Sequence, residues 1–183
     1  VFGKIAGGYA AKRAKEIENF SIIEASEIEK AIEDTLAPLK RESGENPAKV
    51  VEDLREMMQN KVGIIRTESL LKEALLDLNE LEIRGGNTTS GSSRIYNPGW
   101  HQSLEIDAMI DVSRMCTLAA LHREESRGGH TREDFPVPDY KYWGKINSVI
   151  TQKDVMAIEH RRYPQMDEDL KKLLDADDFH EEE

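Results

Sequence analysis

The run TESLLKEALLDLNEL, residues 67–81, places leucine or alanine at every third or fourth position. This spacing puts the apolar side chains on one face of an α-helix. Thr67 followed by Glu68 is a typical helix start, because the hydroxyl can cap a free N–H and the acid complements the helix dipole. Gly85 and Gly86 end the helix. Because one helix cannot cover its own apolar stripe, the run predicts a bundle.

Two further helices are predicted beside it. Upstream, Asn46 and Pro47 form an N-cap and a first helical position. The residues expected inward on that helix are Val50, Val51, Leu54, Met57 and Met58. Downstream, a long helix from about residue 101 to 125 is expected to turn inward Leu104, Ala108, Val112, Met115, Ala119 and either Leu121 or His122. Three helices of similar length with short connections predict an antiparallel three-helix bundle over residues 46–130.

The flanking segments complete a mainly all-α prediction with a small β-hairpin. Residues 1–45 are predicted to contain a helix from about Lys4 to Glu18 and a second helix that begins at a capping box, Ser26 with Glu29. The second helix carries Ile28, Ile32, Leu36 and Leu39 at helical spacing. Residues 131–183 are predicted to hold an extended run (132–143), a hairpin (148–151 with 155–159), a short helix (167–174) and a frayed acidic tail (175–183).

Composition excludes some partners. The 183 residues carry a formal net charge of −11, so nucleic acid and anionic membrane surfaces would repel the chain. No apolar run approaches the roughly 20 residues of a membrane-spanning helix, and we expect no direct membrane insertion. The single cysteine, Cys116, is expected to be a buried, inert thiol in a reducing compartment. The chain opens with Val1-Phe2-Gly3-Lys4, without methionine or a signal-type segment, and we expect it to be part of a longer polypeptide.

Residues 125–136 form the densest polar cluster of the sequence. Arg127, His130 and Arg132 alternate there with Glu125 and acids that include Asp134, around Gly128 and Gly129. One interpretation is an anion-binding site, because arginine forks match carboxylates. The other is a helix C-terminus whose last carbonyls and nearby acids are satisfied by those arginines. The sequence contains no Gly-x-Gly-x-x-Gly after a strand, no Walker-type loop, no Cys-x-x-Cys and no His-Glu-x-x-His, and we expect no metal ligands.

The same cluster, ESRGGHTREDFP (residues 125–136), resembles the signature of succinate dehydrogenase and fumarate reductase flavoproteins. Further similarities occur in order: residues 1–4 with the following small-residue helix, the junction 62–68, the helix entry 97–100 and the element 163–166. The resemblance therefore covers nearly the whole chain and implies the C-terminal region of such a subunit.

The resemblance implies succinate–fumarate interconversion with FAD by the full-length subunit, which passes electrons to an iron–sulfur subunit. The family's catalytic and flavin-binding residues match no position here, so we predict that the isolated chain is inactive and binds no FAD. The implied partners are the flavin-binding domain of the same subunit and the iron–sulfur subunit, in a cytoplasmic complex at the inner face of the membrane. An interdomain structural motif is predicted from Glu125, Ser126, Arg127, His130, Arg132 and Asp134.

Three alternatives remain at this point. The chain could be an autonomous helical interaction module, or the equivalent domain of an L-aspartate oxidase, which has a related stretch. It could also be a self-contained enzyme that uses the cluster at residues 125–134.

Overall fold

The structure, a computed structural model, describes residues 2–17, 22–152 and 156–176 of the chain. The helices are α1 (Phe2–Glu16), α2 (Ala25–Lys40), α3 (Pro47–Lys61), α4 (Glu68–Gly86), α5 (Pro98–His122) and α6 (Glu168–Ala176). The strands are β1 (Ile65–Arg66), β2 (Thr131–Arg132), β3 (Ile146–Gln152) and β4 (Met156–Arg162). The prediction of a mainly helical chain with a small antiparallel hairpin is confirmed. None of the described helices is both long enough and apolar enough to cross a membrane.

Helices α3, α4 and α5 pack against one another in pairs and enclose the core. The predicted stripes of α3 and α4 form this core, although Met58 is only partly buried. Leu71 and Leu78 are completely inaccessible to solvent. Burying each such side chain contributes about 1.5–3 kcal/mol to stability. Two helix starts are capped as predicted: the side chains of Asn46 and Thr67 each accept a backbone N–H from the first turn. The side chain of Asn97 caps α5 in the same way, although the sequence predicts that this helix begins at about residue 101.

The predicted inward face of α5 is wrong. The buried residues of this helix are Ser103, Ile106, Ile110, Thr117 and Ala120, whereas Leu104 and Val112 are exposed. Apolar residues are distributed around the whole helix, and the polar residues Ser103 and Thr117 lie on the buried face, so the spacing does not single out one face. Its bounds also differ from the prediction. The helix begins at Pro98, because Asn97 is the N-cap, and it ends at His122.

Close approach of α4 and α5 requires Gly85. A Cβ atom at this position would lie 2.5 Å from Cγ2 of Ile106, a distance that real side chains do not tolerate. Gly85, where the sequence predicts the end of α4, therefore lies within the helix and allows it to pack against α5. The loop that follows α4 packs as well: Thr88 is fully buried, and its carbonyl accepts a hydrogen bond from Arg41 at 2.6 Å.

Helices α1 and α2 differ from the bundle in burial. Within the described chain, no residue of α1 is buried, and α2 buries only Pro38 and Leu39. The predicted start of α2 is also wrong. Its N-cap is Glu24, whose backbone N–H donates to the carboxylate of Glu27 at 3.2 Å, so the capping box lies two residues before the predicted pair.

The C-terminal region folds back on α5. Strands β3 and β4 pair antiparallel from Ile146 opposite Arg162 to Gln152 opposite Met156, and both contact α5. Lys153 and Asp154 of the predicted turn and Val155 of the predicted second strand lie outside the described residues, as do Glu18 and positions 177–183 of the predicted acidic tail. Residues 132–143 do not form one extended run: Arg132 ends β2, turns and a bend follow, and Trp143 begins a short 3-10 helix. Cys116 is exposed, so the expectation of a buried thiol is wrong.

Candidate functional site

The polar cluster meets the connection between α3 and α4, and we call residues 62–68 together with 123–139 the signature junction. Strands β1 and β2 pair in parallel here, with Ile65 opposite Thr131 and Arg66 opposite Arg132. The Thr131 N–H donates to the Ile64 carbonyl at 3.2 Å, and the Glu133 N–H donates to the Arg66 carbonyl at 2.9 Å. Two segments that are far apart in sequence therefore close one end of the bundle.

Arg132 is the buried centre of the signature junction. Its side chain is 1% exposed, and its Nη1 donates to the carbonyls of Ala120 and Leu121, both at 2.9 Å. These carbonyls belong to the last turn of α5, where a helix leaves acceptors without partners and where a cation is favoured by the dipole. Nε and Nη2 of the same guanidinium grip the two oxygens of Asp134, each at 2.7 Å.

Asp134 extends this link to the next helix. Its Oδ2 accepts the Glu68 N–H at 2.9 Å, in the first turn of α4. One carboxylate thus joins the C-terminus of α5, through Arg132, to the N-terminus of α4. The hydrogen bonds from Arg132 lower the pKa of Asp134 to about 2, and the Glu68 N–H contributes in the same direction.

Glu125 is the second buried acid, with a side chain that solvent does not reach. Burial by itself raises the pKa of this carboxyl, but the Asp139 N–H, at 2.7 Å, and the guanidinium groups of Arg123 and Arg127 outweigh burial and lower the pKa. The ionised form is therefore the one that the fold holds. A buried carboxylate with this many donors fixes the segment after α5 to the turn at Asp139.

His130 is held as the neutral ring. Its Nδ1 lies 2.7 Å from Nη1 of Arg66, which can only donate, so Nδ1 accepts and the proton lies on Nε2. Nε2 in turn donates to the Arg123 carbonyl at 3.1 Å. Burial lowers the pKa of His130, and the nearby charges of Arg66, Arg123 and Arg132 lower it further against the opposing effect of that carbonyl.

Ser126 and Arg127 complete the turn. The Ser126 hydroxyl accepts the Arg132 N–H at 2.9 Å and lies 2.8 Å from the Phe135 carbonyl. Gly128 has φ +58, a left-handed conformation that glycine adopts without strain, and it reverses the chain between Arg127 and His130. Arg127 donates to Glu125 and to the Asp139 carbonyl, and its guanidinium carbon lies 4.5 Å from the Tyr140 ring centroid.

The six residues predicted to form a motif are therefore brought together, and they bond mainly to acceptors of their own chain. Of the two interpretations of the cluster, the arrangement matches the capped helix terminus. Among these six residues, Nε of Arg127 is the one buried side-chain nitrogen or oxygen without a hydrogen-bond partner. Sequence reasoning missed Arg66, Arg123 and Asp139 as members. No periodicity marks them, and only the parallel pairing of β1 with β2 brings Arg66 to His130. In the described residues, no three His, Cys, Asp or Glu side chains form a metal-binding group.

The fold and the signature junction have clear relatives among known proteins. Residues 51–172 match the family described as "Fumarate reductase flavoprotein C-term". The chain is 37% identical over 147 residues to an uncharacterized FAD-dependent oxidoreductase of Methanocaldococcus jannaschii, covering 80% of this chain and 26% of that protein. It is 32% identical over 143 residues to one subunit of the fumarate reductase (CoM/CoB) of Methanothermobacter marburgensis, covering 77% of this chain and 26% of that relative. A solved structure of the Mycobacterium smegmatis Sdh1 complex matches with a TM-score of 0.80 and 34% identity, over 90% of this chain and 29% of the matching chain.

The chain belongs to the family of fumarate reductase flavoprotein C-terminal domains, as the resemblance in its sequence predicts. It spans about a quarter of the length of the curated relatives that it matches.

Proposed function

We propose that this chain is the docking and support domain of an FAD-dependent succinate dehydrogenase or fumarate reductase flavoprotein. The full-length subunit would interconvert succinate and fumarate and pass electrons to or from an iron–sulfur subunit. The observation that carries the docking role is the uncovered apolar surface of α1 and α2. In the described chain, Phe2 is 86% exposed and Tyr9 is 72% exposed, although both lie in a regular helix.

The clearest part of this surface is the α2 groove, a concave site of about 470 Å³ lined by Ile23, Glu27, Ile28, Ala31, Ile32, Thr35, Leu36 and Trp100. Trp100 is fixed in place because its Nε1 donates to the Thr35 carbonyl at 2.7 Å. Contiguous apolar surface of this kind is typical of an interface. Because the chain covers only 26% of the length of the Methanocaldococcus jannaschii relative, we propose that the flavin-binding domain of the same subunit covers the groove.

The signature junction has a supporting role in this proposal. Arg132 and Asp134 fix the ends of α4 and α5 relative to each other, and so fix the shape that the bundle offers to its neighbour. We propose that Glu125, Ser126, Arg127, His130, Arg132 and Asp134 act in this structural way and touch no substrate.

We assign no residue of this chain to FAD. A dinucleotide site needs a glycine-rich turn whose backbone N–H groups approach the phosphates, and this sequence has no such turn. The arginines of the signature junction are occupied by carboxylates and carbonyls of the chain itself. The residues present therefore do not fit the cofactor, and we propose that FAD is held by the flavin-binding domain. The complex is proposed to lie in the cytoplasm at the inner face of the membrane.

A flavin test separates support from catalysis. The purified 183-residue chain is incubated with FAD, free flavin is removed, and the visible absorption spectrum is recorded before and after succinate is added. We expect a colourless protein. Retained flavin that bleaches with succinate would overturn the assignment and place an active site within this chain.

A second experiment tests the groove. The double substitution Ile28→Ser with Ile32→Ser, introduced into the full-length flavoprotein, should weaken flavin retention and assembly, whereas the melting temperature of the isolated chain should hardly change. Ile83→Ser is the matched control, since Ile83 is an exposed isoleucine of α4 outside the groove. Equal losses in the double variant and the control would contradict docking through α2.

A further inference from the structure

A second concave site lies at the base of the β3–β4 hairpin, away from the α2 groove. It has a volume of about 270 Å³ and is lined by Lys141, Tyr142, Lys145, Ile146 and Arg162. We call it the hairpin pocket. Three of its five lining side chains are cations, in a chain whose formal net charge is −11.

The backbone around the hairpin pocket is held by hydrogen bonds. The Tyr163 N–H donates to the Lys145 carbonyl at 3.0 Å, and the Lys145 N–H donates to the Tyr142 carbonyl at 3.0 Å. Ile146 is buried opposite Arg162 in the strand register, and the Tyr142 hydroxyl lies 2.9 Å from Nδ1 of His160. The backbone that carries the lining side chains is therefore in place before any ligand arrives, which lowers the entropic cost of binding.

The three cations are not committed to acids in the described chain. Neither Lys141, Lys145 nor Arg162 forms an ion pair with a described carboxylate, whereas the neighbouring Arg161 pairs with Glu159 at 3.1 Å. The acid nearest in sequence, Asp139, accepts the backbone N–H groups of residues 141 and 142 at 2.9 and 3.0 Å. Three like charges around one small cavity repel one another, and a multivalent anion would remove that repulsion.

We propose that the hairpin pocket binds a phosphate group, either free phosphate or the phosphate of a larger molecule. A guanidinium offers a planar fork to two phosphate oxygens, and lysine ammonium groups act as point charges beside it. The volume lies just below the roughly 300–1,000 Å³ of pockets that hold drug-sized ligands, which suits a small ion or one charged end of a larger ligand. This site is independent of the proposed docking role.

Strand geometry supplies a matched control. Successive side chains of a strand point to opposite faces, so Arg161 and Arg162 of β4 face opposite ways and only Arg162 lines the hairpin pocket. Replacing either by glutamine removes the same charge from the chain. A general effect of net charge would be equal in both variants, whereas a specific site responds to only one.

The test is isothermal titration calorimetry of the 183-residue chain with inorganic phosphate in a phosphate-free buffer at constant ionic strength. We expect saturable binding that Arg162→Gln weakens by about tenfold, whereas Arg161→Gln changes affinity by less than about twofold. Lys145→Gln is the second variant, should Arg162→Gln fail to fold by circular dichroism. In a second experiment, binding of the chain to vesicles of phosphatidylcholine with and without phosphatidic acid is measured.

Binding of inorganic phosphate assigns the hairpin pocket to soluble phosphates, and binding of phosphatidic acid vesicles alone assigns it to lipid headgroups. Either result supports a phosphate site if Arg162→Gln or Lys145→Gln weakens the binding. No saturable binding in either arm, equal weakening by Arg161→Gln, or equal competition by chloride at matched ionic strength would overturn the proposal.

Discussion

Arg132 is a buried arginine that bonds to the last carbonyls of α5 and to the Asp134 carboxylate, and its replacement should be costly. Arg132→Met leaves the carbonyls of α5 without a donor and the Asp134 carboxylate without its counterion. We expect the free energy of unfolding to fall by about 3–5 kcal/mol, the range for breaking a buried pair by removing one partner. Urea unfolding of the isolated chain, followed by circular dichroism, measures this loss. Arg132→Lys keeps the charge but not the planar fork, so its free energy of unfolding should lie between those of the parent and the methionine variant. Equal stability of the methionine variant and the parent would refute this role.

Asp134 gives the chain an acid-sensitive contribution to stability. Its pKa is lowered from 3.8 to about 2 in the fold, so the unfolded chain takes up a proton first as the pH falls. The stabilisation is complete above pH 3.8 and disappears as the pH falls through about 2. We expect Asp134→Asn to be less stable by about 1 kcal/mol at neutral pH, after allowance for solvent screening, and equal to the parent at the acid end. Denaturant unfolding across this range measures the difference, and a gap that persists below pH 2 would contradict it.

His130 also makes a contribution to stability that is lost as the pH falls, but at a higher pH than Asp134. Because its folded pKa lies below the ordinary value of 6.5, its contribution is complete above that pH and declines as the pH falls from there toward the folded pKa. Protonation would place a hydrogen on Nδ1 against Arg66 and break that contact. The stability of His130→Gln should lack this decline, since glutamine keeps a donor and an acceptor but does not titrate. His101→Gln, at an exposed histidine of α5, is the control and should leave the decline in place.

At the level of elements, the close contact between α4 and α5 depends on Gly85, which has no side chain. Gly85→Ala would force a methyl group against Ile106 in the core, and we expect a loss of about 1–3 kcal/mol from overpacking. A methyl group at the adjacent Gly86 would meet no neighbouring segment within 4 Å, so Gly86→Ala should be neutral or stabilising by up to about 1 kcal/mol. Thermal unfolding of both variants compares them, and a similar loss in each would show that helix termination, not packing, requires glycine here.

Two of the three bundle helices could be predicted from the sequence almost to the residue. Thr67 and Asn46 mark their starts, and a narrow apolar stripe in each identifies the buried face. The third helix shows where this reasoning ends. Leu104 and Val112 are as apolar as Ile106 and Ile110, and only the positions of α3 and α4 determine which pair is covered.

The sequence predicts that the residues of the signature junction cluster together, but it does not predict which of them form hydrogen bonds with one another. Arg132 and Asp134 lie close in sequence, so their pairing follows from the pattern of alternating charges. The bond between Arg66 and His130 joins residues separated by 64 positions, and no local preference encodes it. Long-range pairing of this kind depends on the assembled bundle, which is why sequence reasoning left Arg66 out.

Across the whole molecule, burial is uneven. The bundle has a closed core, whereas α1 and α2 carry apolar residues that no other described part of the chain covers. This division fits a domain whose first helices are completed by a neighbour, as the proposed function requires. The isolated chain should therefore unfold with the stability of the bundle alone, and the junction variants described above can be measured without the rest of the flavoprotein.

The parallel pairing of β1 with β2 also has a consequence for the order of folding. Contacts between α3 and α4 close a short loop, whereas pairing of residues 65–66 with 131–132 closes a long one and costs more chain entropy. Helical hairpins should therefore form before the junction, which would be absent from the rate-limiting transition state. Arg132→Met would then speed unfolding strongly and leave the refolding rate nearly unchanged. In stopped-flow chevron plots, the unfolding arm should shift while the refolding arm stays in place, so that this buried arginine governs how long the folded domain survives.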